Sequence, residues 1–176
     1  DFVAQKRSPT DVELEVIAQT WSEHCKHRTF NAIVEHGAEN IDGLFKTFIK
    51  DVSDRISADK KNFVLGAFED NAGFIRLDEN LAVCLKVETH NHPSAIEPYA
   101  GANTGLGGVI RDILGAGKGA KPVASLDVFC FGRPDISDEA LPADVIHPRD
   151  IMQGVVRGVA DYGNRMGIPT VGGAIH

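Results

Sequence analysis

The sequence predicts a mixed α+β fold, and three stretches carry that prediction. Between Leu81 and Glu88, the apolar residues Leu81, Val83, Leu85 and Val87 alternate with Ala82, Cys84, Lys86 and Glu88. A repeat of two marks a half-buried strand. From Thr10 to Cys25 and from Pro148 to Met166, apolar residues instead recur at helical spacing. With 176 residues, 43% of them hydrophobic and 24% charged, the chain has the composition of a soluble protein and enough length for one domain with its own core. We therefore expect a single domain over 1–176, with a helical part over 1–60 and sheet and helices over 61–176.

Bulk properties exclude several classes of function. The formal charge is −7 and no basic stripe occurs, so no nucleic-acid partner is expected. An acidic protein can still take phosphates through a bridging magnesium ion. The longest apolar runs fall far short of the ~20 residues that span a bilayer, and the polar opening Asp1 to Arg7 is unlike a signal peptide. No membrane partner is expected. Cys25, Cys84 and Cys130 are odd in number and widely spaced, which argues against a disulfide framework and for a reducing, cytoplasmic setting. The start at Asp1 and the end within an apparent strand near Val171 lead us to expect a piece of a longer chain.

The elements follow in order. Pro9, Thr10 and Glu13 read as a helix start with capping-box spacing. Leu14, Ile17, Ala18, Trp21 and Cys25 share one face of that helix. His24, His27 and Arg28 then share another, near its end, where cations also suit the helix dipole. A second amphipathic helix is expected over 41–56, and a short strand over 63–67. Asp70 to Gly73 reads as a turn, and a hairpin joins Phe74–Leu77 to the strand from Leu81 through Asp78–Asn80. Val123 to Phe131 is an apolar strand, Arg133 to His147 a loop, and Pro148 to Met166 a long helix closed by Gly167. A last strand begins near Ile168.

The chemistry gathers in the middle of the chain. A strand that stays extended past Leu85 places Lys86, Glu88, His90 and His92 on one face, and Pro93 ends its pairing. That delivers an ammonium, a carboxylate and two imidazoles to one sheet edge; the plain alternative is a solvated outer face. Gly101, Gly105, Gly107 and Gly108 then lead into an apolar stretch. A glycine-rich turn at a helix N-terminus can cradle an anion. Arg111 suits a phosphate and Asp112 suits magnesium, although a surface Arg–Asp neighbour pair accounts for them equally. No Gly-Lys-Ser/Thr closes this segment, and Ile110 stands where a dinucleotide fingerprint needs glycine.

Three motifs, taken together, carry a resemblance: Trp21-Ser22-Glu23-His24-Cys25-Lys26-His27, Lys86 to Pro98 with Thr89-His90-Asn91-His92, and Gly101 to Asp112. In that order, with Asp161-Tyr162-Gly163-Asn164 and Pro169 to Gly173, they resemble the phosphoribosylformylglycinamidine synthase family over nearly the whole chain from Pro9. The resemblance implies a domain of the aminoimidazole ribonucleotide synthetase N-terminal type. That is a mixed sheet with helices on one face, whose sheet pairs with a second domain into a barrel. It implies conversion of formylglycinamide ribonucleotide, ATP and ammonia from glutamine into the formylglycinamidine product, ADP and phosphate, through an iminophosphate. By position in the motifs, His24 and His90 match catalytic histidines and Lys86 an ATP ligand. Glu88 and Asp112 match Mg2+ ligands; Thr89, His90, Asn91, His92 and Arg111 match substrate positions. Gly105, Gly107 and Gly108 are the expected phosphate cradle for ATP. His27 stands where shorter members carry a tyrosine near ATP, and its role stays open. The implied partners are the remainder of the synthetase and a glutaminase domain or subunit. A second hypothesis is a catalytically silent structural module that pairs with a copy of itself through its sheet. A metal nuclease, suggested by His90-Asn91-His92, lacks a basic surface.

Overall fold

The computed structural model describes residues 1–59 and 63–176, except the side chains of His24 and Cys25. The chain divides into two compact units, 1–63 and 64–176.

The first unit opens with α1 (Asp11–Thr20), whose N-cap Thr10 forms the expected reciprocal box with Glu13. Pro9 lies just outside the helix rather than at its first position. The helix stops at Trp21, and two short helices follow, α2 (Glu23–Lys26) and α3 (Arg28–Asn31). His27 sits between them in the left-handed region, at φ 51° and ψ 47°. This break corrects the expectation of one helix through Arg28. A left-handed residue reverses the helical rotation, so no single helix runs through His27 to Arg28. The strands β1 (Ile33–His36) and β2 (Glu39–Asp42) then form an antiparallel hairpin around Gly37, which has φ 64°. The helix expected over 41–56 begins later. A π-helical turn spans Lys46–Lys50 and runs into α4 (Asp51–Asp59).

The second unit opens with an antiparallel sheet, β3 (Val64–Gly66), β4 (Gly73–Arg76) and β5 (Ala82–Leu85). Asp78 closes the β4–β5 turn, its carboxylate accepting from the Asn80 and Leu81 N–H groups. Two helices follow, α5 (Asn91–Ile96) and α6 (Pro98–Leu114). Further on, β6 (Ser125–Phe129) pairs in parallel with β7 (Thr170–Ile175), and α7 (Pro148–Met166) connects them. Pro148 opens α7, and Gly167, at φ 68°, caps it as expected. The strands thus form three small sheets, two antiparallel and one parallel. Among the described residues no helix is long and apolar enough to cross a membrane.

Helices α6 and α7 cross closely. A Cβ on Gly158 would lie 2.3 Å from the Tyr99 carbonyl oxygen, and one on Gly154 would lie 2.6 Å from Pro98 Cβ. The crossing is fixed by Asn103 Nδ2, which donates to the Gly158 carbonyl at 3.1 Å, and by Tyr99 Oη, which donates to Asp161 at 2.6 Å. Below it lies a small core of Leu106, Ile110 and Ile168, with Val159 and Tyr162 packed against it.

Two expectations are corrected here. Regular pairing ends at Leu85, and Asn91 and His92 open a helix, Asn91–Ile96, rather than extending the strand to Pro93. Pro93 is tolerated because it falls in the first turn, where its missing N–H costs no helical bond. Burial of this strand also departs from the expected alternation. Leu81, Ala82, Leu85 and Val87 are exposed, while Val83, Cys84 and Lys86 are half-buried. Strand β6 repeats the pattern, with Leu126 and Val128 exposed and Asp127 half-buried beneath the Thr170 hydroxyl, which donates to it at 2.6 Å.

Candidate functional site

The site grows from the five residues that follow β5. Lys86 is the first beyond the pairing, and its side chain turns to α6. Its ammonium lies 2.7 Å from Asp112 Oδ2 and 3.6 Å from Glu88 Oε2. The three side chains are 15%, 26% and 32% exposed respectively for Lys86, Asp112 and Glu88, so water screens these charges only in part. The hydrogen bond to Asp112 holds the Lys86 ammonium above the ordinary lysine pKa, against the opposing effect of burial, and Glu88 adds to it. The predicted gathering of Lys86, Glu88 and Asp112 is therefore present, although the strand meant to deliver it is shorter.

His90 lies four residues on, at the N-cap of α5. Its ring packs on Gly105. A Cβ there would come within 2.7 Å of His90 Cβ and 2.8 Å of Cγ. His90 Nδ1 is buried without a hydrogen-bond partner among the described residues. An unmet buried nitrogen costs about 1–3 kcal/mol, and such atoms in native proteins call for a reason. The segment 86–90 thus runs antiparallel to α6, with Lys86 at Asp112 and His90 at Gly105. These two helix positions are seven residues apart, about 10.5 Å of helical rise and close to two full turns, so both face the same way.

Arg111 lies one position off that line. It folds back one turn, as helical side chains do, so that its Nη1 lies within 2.9 Å of where a Gly107 Cβ would sit. Arg111 and Asp112 also line a pocket of about 80 Å3 with Asp70, Asn71, Ala72, Gly115 and Ala116. Thr89, Asn91 and His92 are exposed beside His90. Their exposure leaves them open to a ligand, and no geometry assigns them one.

The glycine segment is corrected in kind. Gly101, Gly105, Gly107 and Gly108 lie inside α6, which begins at Pro98. Their N–H groups are spent within the helix, so no loop-type cradle of free N–H groups exists there. Their use is steric: Gly101 meets the Pro93 carbonyl, Gly105 meets His90 and Gly107 meets Tyr162. The motif looked like a turn because glycine signals turns and close helix packing alike. His24 and His27 belong to the first unit. The His24 side chain lies outside the described residues, and His27 is exposed.

The donor set suits magnesium chemistry in part. Glu88 and Asp112 are hard oxygen donors gathered at one point. Magnesium characteristically takes one or two protein carboxylates and completes its shell with water and phosphate. Among the described residues no group of three or more His, Cys, Asp or Glu side chains could hold a metal. The residues therefore fit an ion shared with a phosphate ligand rather than a closed protein cage.

The second unit is thus a small mixed domain that sets a lysine, two acids and an orphaned imidazole beside one helix. The chain belongs to the AIR synthase related proteins: residues 69–176 match the N-terminal domain of that family. Residues 1–28 match the formylglycinamide ribonucleotide amidotransferase linker domain. Among curated relatives, phosphoribosylformylglycinamidine synthase subunit PurL of Thermoplasma volcanium is 38% identical over 99% of this chain, and that of Methanocaldococcus jannaschii 42% over 95%. The chain spans about a fifth of those relatives' length, 20% in each case. Among solved structures, Thermotoga maritima PurL complexed with FGAR is similar at TM-score 0.60 and 36% identity. The same protein complexed with ATP is similar at TM-score 0.59 and 35% identity. Each match covers 97% of this chain, and 21% and 22% of the other.

Proposed function

We propose that this chain is part of an ATP-dependent carbon–nitrogen ligase, a phosphoribosylformylglycinamidine synthase. The complete enzyme would convert formylglycinamide ribonucleotide, ATP and glutamine-derived ammonia into formylglycinamidine ribonucleotide, ADP and phosphate, in purine biosynthesis in the cytoplasm. The observation that carries the reading is the Lys86–Asp112–Glu88 cluster beside the unpartnered His90, in a chain related to proteins solved with FGAR and with ATP.

Roles follow from the groups. Lys86 would turn its ammonium from Asp112 to the phosphates of ATP, where positive charge offsets the transferred phosphoryl group. Glu88 and Asp112 would hold Mg2+, which supplies further countercharge to that group. His90 would accept a proton from the attacking ammonia, an imidazole nitrogen being a suitable general base. Arg111 and the run Thr89 to His92 would bind the ribonucleotide, the guanidinium through its phosphate. His24 would be a second catalytic histidine. Ammonia would come from a glutaminase partner; one neighbour is the PurLQS structure of Thermotoga maritima, similar at TM-score 0.58.

The test is His90→Ala in the complete parent protein. Product formation should fall by about 10²–10⁴-fold, the usual share of general acid–base catalysis, with the thermal melt unchanged. Near-normal turnover would defeat the role.

A second reading concerns the isolated piece. Leu81, Leu85, Val87, Leu126 and Val128 are all more than half exposed, which favours a silent module that covers its sheet with a second domain or a second copy, as in a barrel seam. Sedimentation of residues 1–176 during titration with Mg-ATP tests it. A monomer that binds nucleotide tightly would count against it.

A further inference from the structure

We infer that Tyr162 is a positioning residue for Arg111, acting through the space left by Gly107. This inference rests on the proposed substrate role of Arg111. A Cβ placed on Gly107 would lie 2.8 Å from Tyr162 Cε2, 3.0 Å from Tyr162 Cζ and 2.9 Å from Arg111 Nη1. One missing methyl group is thus bordered at once by the phenol end of the ring and by the guanidinium. The ring is not free to drift, because Tyr162 packs against the Leu106, Ile110 and Ile168 core. Arg111 has the opposite character. It is exposed, and its side chain makes no hydrogen bond or ion pair among the described residues. A long side chain left alone samples many rotamers. Here the folded-back rotamer is bounded on one side by α6 backbone at Gly107 and on another by an anchored ring edge. Tyrosine suits this place because a rigid aromatic edge is a good neighbour for a planar guanidinium. The cluster explains why residue 107 is glycine inside a helix, where glycine is otherwise unfavourable by about 1 kcal/mol relative to alanine. It also gives the Asp161-Tyr162-Gly163-Asn164 stretch a use beyond helix packing.

The experiment is steady-state kinetics on the complete parent protein with four variants: Arg111→Ala, Tyr162→Leu, Tyr162→Phe and Gly107→Ala. A misplaced guanidinium weakens ribonucleotide binding, so Tyr162→Leu and Gly107→Ala should raise KM for the ribonucleotide by about tenfold. Neither should raise KM for ATP to the same extent. Tyr162→Phe keeps the ring edge and should restore KM to within about twofold of wild type. Melting curves accompany each variant. A loss of kcat with unchanged KM, or equal effects on both substrates, would show a merely structural role and overturn the inference. If Tyr162→Leu cannot be purified folded, Tyr162→Met decides by the same KM split, because Gly107→Ala also crowds Arg111 directly. If Arg111→Ala itself leaves ribonucleotide KM unchanged, the substrate role of Arg111 fails. If Arg111→Ala raises KM while Tyr162→Leu and Gly107→Ala do not, only the positioning role fails.

Discussion

At the scale of single residues, Lys86 shows how one side chain organises a site. Its ammonium takes the carboxylate of Asp112 directly and that of Glu88 more loosely. Two acids near each other would otherwise repel. Because Asp112 holds the Lys86 pKa above its ordinary value, the folded protein binds this proton more tightly than the unfolded chain. The stabilisation is complete below about pH 10.4, the unfolded lysine value, and is lost as pH rises through the folded value. In Asp112→Asn the ammonium loses its strongest partner. The melting-temperature gap between wild type and Asp112→Asn should therefore stay constant between about pH 7 and pH 10 and close above it. A gap that widens in alkali would refute the pairing. The identities of Lys86, Glu88, Asp112 and His90 were legible in the sequence because they sit in short, unusual motifs. The pairing of Gly107 with Tyr162 was not. Those residues are far apart along the chain, and no local pattern announces which glycine gives room to which ring.

At the scale of elements, the long helix α7 was readable from Pro148 to Gly167 because proline and glycine punctuate helices in fixed ways. The 33–42 hairpin was not, since its exposed strands of four residues each carry no clean alternation. Strand β5 was found but its end was placed too far on, because Pro93 opens the following helix instead of closing a strand. The glycines of α6 and α7 act as a pair of flat surfaces, and Gly158 is the tightest point, where a Cβ would meet the Tyr99 carbonyl at 2.3 Å. Backbone cannot step aside as a flexible side chain can. Gly158→Ala should gain helix propensity locally yet cost about 1–3 kcal/mol overall through overpacking. Denaturant unfolding of the complete protein measures it; a neutral or stabilising result would mean that the helices slide apart freely.

At the scale of the whole molecule, the second unit wears much of its sheet apolar surface outward. The alternation of β5 was legible and the face it covers was not, because a sequence shows which residues share a face and not which face is covered. Exposed apolar strands of this kind seek a partner. Residues 1–176 alone should self-associate with rising concentration, and replacing Leu126 and Val128 by lysine should suppress this in sedimentation. Unchanged association in that variant would place the contact elsewhere. The N-terminal unit offers less to read. Its α1 cap was visible in Thr10 and Glu13, but the left-handed break at His27 carries no glycine to signal it.

The antiparallel run of residues 86–90 against α6 turns that helix into a ruler. Lys86 is matched to one mark and His90 to another, two turns away. Inserting a single residue between positions 105 and 112 would rotate one mark by about 100° relative to the other, and no side-chain adjustment could restore both. Changes of identity away from Gly105, Gly107, Arg111 and Asp112 leave both marks where they are, whereas any change of length between them moves one mark off its partner.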